Sequence, residues 1–181
     1  GSISIVVASG NKDVGGRLVV NAGQSTVVTG GAVSVVSGYG FATSSGSFSI
    51  HTANAGTGGN SGLVAVSTGT TSGGSSGSIA LKTGTATKGT AGSISIFVGT
   101  GNKDVGGRLS VNAGQSTDVT GGAVSMVSGY GSATSSGSFS IRTANAGTGG
   151  NSGLVTLSSG TTSEGSSGSI ALKTGTATKG T

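Results

Sequence analysis

Apolar residues recur along this chain in short alternating runs, each introduced by a glycine. The runs SISI, RLVV, AVSV, SFSI, LVAV and SIAL are opened by Gly1, Gly16, Gly31, Gly46, Gly62 and Gly77. Successive openers are 15, 15, 15, 16 and 15 residues apart, and Gly92 restarts the series after 15 more. The third and fifth positions of every unit are apolar: Ile3 and Ile5, Leu18 and Val20, Val33 and Val35, Phe48 and Ile50, Val64 and Val66, Ile79 and Leu81. Ile94 and Ile96, then Leu109 and Val111, continue the columns. Period-two alternation rich in β-branched residues predicts a strand with one buried face, which makes these residues the predicted structural core.

The chain carries this pattern twice. Gly1 to Thr90 and Gly92 to Thr181 align without a gap at an offset of 91 residues, and 78 of the 90 pairs are identical. The differences support the facing. In the inward columns Val35 becomes Met126 and Val66 becomes Leu157, whereas in the outward ones Val19 becomes Ser110 and Ala65 becomes Thr156. Intervening positions change freely, as in Val27 to Asp118, Phe41 to Ser132 and Gly73 to Glu164. That is the behaviour of alternate residues facing core and water.

Between the runs the units are small and polar. The eighth position is Gly or Ala (Ala8, Gly23, Gly38, Ala53, Gly69, Gly84), and the tenth is always small. Glycine permits the positive φ of a tight corner. Two buried aliphatic side chains per unit contribute roughly 3–6 kcal/mol. Ordering a 15-residue backbone costs on the order of 15–30 kcal/mol. One unit therefore cannot stand alone, and stacking is the expected solution.

The expectation is an all-β fold: a β-solenoid, or β-helix, of stacked ~15-residue units, six to each 91-residue copy. Residues 1–91 and 92–181 form the two copies of one continuous solenoid, read as a segment of a longer array because the chain opens without Met and closes one residue short of two periods. Rungs of 15, 30 or 45 residues fit the pattern. The first is preferred, since every unit has its own glycine corners, and it advances the fibre about 29 Å per copy at about 4.8 Å per rung.

Composition narrows the function. More than half the residues are Gly, Ser or Thr, and there is no Pro, Cys or Trp. Disulfides and thiolate metal sites are thereby excluded. No apolar run reaches the roughly 20 residues of a membrane span. Net charge is +5, but nine scattered Lys and Arg make no dense basic face, so no nucleic-acid partner is expected. Gly73-Gly74-Ser75-Ser76-Gly77 matches the G-x-S-x-G nucleophile pattern. Glu164 breaks it in the second copy, and the lone His51 becomes Arg142 there, so no catalytic pair repeats and no enzymatic activity is expected. GNKDVGG occurs at Gly10 to Gly16 and Gly101 to Gly107, where one Asp beside a Lys reads as a turn rather than a cation site. No cofactor or metal is expected. Tyr39 and Tyr130 occupy equivalent turn positions suited to surface contacts, and the outward hydroxyls offer acceptors for O-glycans.

Thr68 and Thr70 are followed fifteen residues later by Thr83 and Thr85, with Thr174 and Thr176 in the second copy. This Thr-x-Thr spacing resembles that of the pentadecapeptide β-helical insect antifreeze proteins, which makes these six threonines candidate ice- or surface-binding residues. The resemblance does not extend to the other units, whose equivalent columns hold Ala22 and Gln24, Ser37 and Tyr39, or Thr52 and Asn54.

Taken over its whole length, the tandem pattern with SGT-rich turns resembles the long Gly/Ser/Thr-rich repeat proteins of unicellular algae and related protists, and the solenoid stalks of bacterial adhesins. The resemblance implies an extracellular or cell-surface location and a filament, matrix or adhesive role, and transfers no functional residue. The expected function is structural: a segment of an extracellular β-solenoid filament or stalk whose partner is itself, end to end, by covalent continuation or by lateral contacts. Ice binding or adhesion is the alternative. If the facing is right, Ile5→Asp or Val20→Asp buries a charge and disrupts stacking, whereas Ser4→Asp is tolerated.

Overall fold

The computed structural model describes residues 1–10, 12, 14–103 and 105–177. The chain divides into two units, Gly1–Ile94 and Ser95–Thr181. Within the first, the backbone changes direction at 26–28, 41–43, 57–58, 72–74 and 87–89. Within the second it does so at 102–103, 117–119, 132–134, 148–149 and 163–165. The fifteen-residue rhythm of the sequence is therefore a rhythm of loops.

Each loop closes on its glycine. The residue that opens a unit docks against the seventh residue of the unit before it. A Cβ added to Gly31 would lie 3.4 Å from Ala22 Cβ, and one on Gly46 3.6 Å from Ser37 Cβ. On Gly77 it would lie 3.3 Å from Thr68 Cγ2, on Gly92 3.5 Å from Thr83 Cγ2, and on Gly168 3.2 Å from Ser159 Cβ. At Gly16 the added atom would collide with Val7. Several closures add one backbone bond: Gly16 N–H donates to Ala8 O at 3.1 Å, Gly31 to Gly23 O at 2.8 Å and Gly46 to Gly38 O at 2.9 Å. Gly122 and Gly137 repeat the last two at 2.9 Å in the second unit.

The one 16-residue spacing is absorbed inside its loop. Gly59 N–H bonds Gly56 O at 3.2 Å, with Gly58 at φ +82°, the left-handed third residue of a type II turn. Gly147 to Gly150 repeat this turn, with Gly149 at φ +81°. The extra residue goes into the turn, so Gly62 and Gly153 still meet Thr52 and Thr143. Three further bends are held by hydroxyls at the tenth position. Ser25 Oγ accepts the Val28 N–H at 3.0 Å, Ser116 Oγ the Val119 N–H at 3.0 Å, and Thr71 Oγ1 the Gly74 N–H at 3.2 Å. These are side-chain-to-backbone turns of the kind Ser and Thr favour.

No helix and no strand forms among the described residues, and no backbone hydrogen bond there joins residues more than eight positions apart. The all-β expectation is thus corrected: the described residues form irregular closed loops, neither a β-solenoid nor a β-helix. The predicted inner face is exposed, from Ile170 at 48 % to Ile3 at 94 %. Val19, placed outward by the alternation, is 50 % exposed against 69 % for its inward neighbour Val20. The two faces are not sorted, so Val20→Asp carries no burial cost. The only half-buried described residues are Ala22, Ser37, Thr52 and Thr143, all at glycine closures, with Gly40 and Gly131 inside their loops.

The physical reason lies in where two backbones can meet. Glycine has no side chain, so close approach concentrates at the openers. Two aliphatic residues per unit do not repay the ordering of neighbouring runs side by side. The eighth-position glycines are not the left-handed corners expected of them: among the described residues only Gly58, Gly149 and Gly165 have positive φ.

Gly40 gives the test. A Cβ there collides with the Ser44 carbonyl and lies 3.1 Å from Thr43 O, whereas one on Gly38 meets nothing within 4 Å. Gly40→Ala is expected to cost about 1–3 kcal/mol, more than the roughly 0.5–1.5 kcal/mol of one net hydrogen bond. Amide exchange at Gly46 should therefore lose its protection in Gly40→Ala and keep it in Gly38→Ala.

Candidate functional site

The Thr-x-Thr residues divide by role. Thr68 and Thr83 turn their methyl-bearing side chains onto Gly77 and Gly92 and close loops. Thr52 does the same beneath Gly62, and its Oγ1 donates to Gly62 O at 3.4 Å. Thr70 and Thr85, one position past the eighth-position glycine, are exposed, as are Thr174 and Thr176. All six threonines are exposed, and Thr68 and Thr83 are the two that also cover an opening glycine.

The remaining candidates stay apart. Ser75 and His51 are both exposed, and no hydrogen bond joins them. Arg142, the counterpart of His51, lines an open recess with Thr143, Ala144 and Asn145, four consecutive residues of one segment. Tyr39 and Tyr130 are 85 % and 90 % exposed. Asp13 and Asp104 of the two GNKDVGG segments lie outside the described residues. Among the described residues no three His, Cys, Asp or Glu come together as a metal site, and no helix is long and apolar enough to cross a membrane.

The seventh-position column (Val7, Ala22, Ser37, Thr52, Thr68 and Thr83) entered the sequence analysis only as the first half of Thr-x-Thr, not as the partner of the opening glycines. Its signal was present. Every member stands nine or ten residues before an opening glycine, and none is larger than valine. Alternation analysis passes over such a column because it scores neighbours two apart, not partners across a loop.

No family model, no curated protein and no solved structure matches this chain.

Thr68→Ala removes the methyl that covers Gly77. The loss is at most about 0.8 kcal/mol, enough to weaken a loop held by little else. Nuclear Overhauser contacts between residue 68 and Gly77 should fade in Thr68→Ala and persist in Thr70→Ala.

Proposed function

We propose that this chain is a structural segment of an extracellular filament or stalk and performs no catalysis. The observation that carries the proposal is that several loop geometries recur along with the sequence. Gly31 and Gly122 close their loops with bonds of 2.8 and 2.9 Å, Gly46 and Gly137 with 2.9 Å each, and the Gly58 turn recurs at Gly149. Twelve substitutions separate the copies (90 − 78), yet these contacts are retained. A chain built by duplicating one unit gains length and identical surface without adding a distinct site. The extracellular placement is supported by the compositional resemblance to Gly/Ser/Thr-rich surface proteins.

The self-partnered role follows from the exposed apolar runs, which leave the chain with surface to cover. The experiment is immuno-electron microscopy of the native material with an antibody against GNKDVGG, applied to intact cells. Regularly spaced label along extracellular filaments is the expected result. Label confined to discrete particles inside the cell would overturn the proposal.

A further inference from the structure

Tyr39 and Tyr130 are the only tyrosines of the chain, one in each copy at equivalent positions. Each lies between two glycines that the structure holds in place. On one side the carbonyl of Gly38 accepts the Gly46 N–H at 2.9 Å, and that of Gly129 accepts the Gly137 N–H at 2.9 Å. On the other side Gly40 packs on the Ser44 carbonyl and Gly131 on that of Ser135, so closely that neither position has room for a Cβ. Gly40 and Gly131 are half-buried, whereas the tyrosines between the anchors are 85 % and 90 % exposed. No side-chain hydrogen bond among the described residues reaches either phenol. The flanking glycines add no side chain beside the ring. Each loop therefore presents a free phenol on a stem anchored at both ends.

Two further features point to the chemistry of these phenols. The aromatic neighbour Phe41 becomes Ser132 in the second copy, so what the two loops share is the phenol and not a second apolar ring. The chain has no Cys and no Trp to compete with tyrosine for an oxidant. Met126 is the one remaining sulfur, and its oxidation ends in a sulfoxide, which forms no bond to another residue. Oxidation of this chain therefore has two outlets that can couple, and both stand at loop surfaces.

We propose that Tyr39 and Tyr130 are sites of oxidative coupling, through which copies of this chain are joined by dityrosine. The proposal rests on the extracellular structural function above and names a covalent contact for it. The oxidant is hydrogen peroxide, used by a haem peroxidase. Each phenol gives up one electron and its hydroxyl proton. Two phenoxyl radicals then join through ring carbons next to the oxygen. The hydrogen on each joined carbon moves to the oxygen of its own ring and restores the hydroxyl. One C–C bond forms, the O–O bond of peroxide breaks, and peroxide takes up the two electrons and two protons to give two waters. With two phenols per chain, coupling continues from chain to chain, whereas one phenol would stop at a pair. The joint needs no extended matching of surfaces, only the meeting of two exposed rings.

Moving the phenols while keeping their number tests the assignment. A variant of the full chain with Tyr39→Phe, Tyr130→Phe, Phe48→Tyr and Phe139→Tyr has the composition of the parent. It places both phenols in alternating runs, where Phe48 and Phe139 are each 59 % exposed. Neither position takes part in a loop closure. Both chains are treated with hydrogen peroxide and a haem peroxidase, and covalent oligomers are followed by denaturing electrophoresis and dityrosine fluorescence. The parent should couple severalfold faster than the variant. Mass spectrometry of its cross-linked peptides should find Tyr39–Tyr39 and Tyr130–Tyr130 pairs, which arise only between chains. Equal rates in parent and variant would overturn the assignment to these loops. Tyr39–Tyr130 pairs alone, in a chain that stays single, would overturn the joining of copies. So would native filaments, marked by the GNKDVGG antibody, whose tyrosines are all recovered in uncoupled peptides. Each of these results leaves the filament proposal standing, which fails instead on the intracellular label described above.

Discussion

The contact on which everything else depends is the approach of an opening glycine to the small residue nine or ten positions before it. It is a local contact, formed within one unit. Closing a loop of this size has a modest entropic cost, and each doubling of length would add only about 0.6 kcal/mol. The gain is correspondingly modest: one net hydrogen bond or one covered methyl. A side chain at Gly16 or Gly31 would remove both, since Gly16 is already filled by Val7 and Gly31 stands 3.2 Å from the Gly23 nitrogen by the same measure. Crowding excludes a side chain outright at Gly16 and Gly107 and presses on one at Gly31, Gly62, Gly77 and Gly168, whereas Gly46 and Gly92 would meet theirs in ordinary contact.

A molecule held this way has a distributed stability. The half-buried described residues are those at four closures and two glycines inside their loops, Gly40 and Gly131. Loops of this kind open and close individually, with free energies far below those of a packed core. Ser25, Thr71 and Ser116 add one hydroxyl bond each at their bends, which narrows the turn without linking it to its neighbours. The consequence for function is a chain whose properties are proportional to its number of units. Length and contact area grow with each copy, and a single substitution changes one loop.

The runs that follow the opening glycines carry both charge and exposed apolar surface. Hydrophobic surface left in water favours association, and no internal partner covers it here. Lys or Arg stands in alternate runs, at Arg17, Lys82, Arg108, Arg142 and Lys173, with His51 in the sixth of them. The substitutions between copies keep that arrangement: His51 becomes Arg142 in a run of this set, whereas Val35 becomes Met126 and Val66 becomes Leu157 in runs without Lys or Arg. The acids that distinguish the second copy, Asp118 and Glu164, fall in loops.

The period, the copy boundary and the position of every closing glycine were legible in the residues alone, because repetition and the absence of a side chain are written directly in the sequence. Ser25 and Thr71 were legible as small residues, and their hydroxyl bonds follow from their type. The partner across each loop was not. The alternation at Ile3 and Ile5 or Leu18 and Val20 is compatible with strands packed on one another, and it read as a core. Alternation states only that two faces differ; whether anything covers one of them depends on how much apolar surface neighbouring units can bring together. Two aliphatic side chains per unit are too few to repay the ordering of the chain, so tertiary structure placed the contacts at the glycines and left the alternating runs to water.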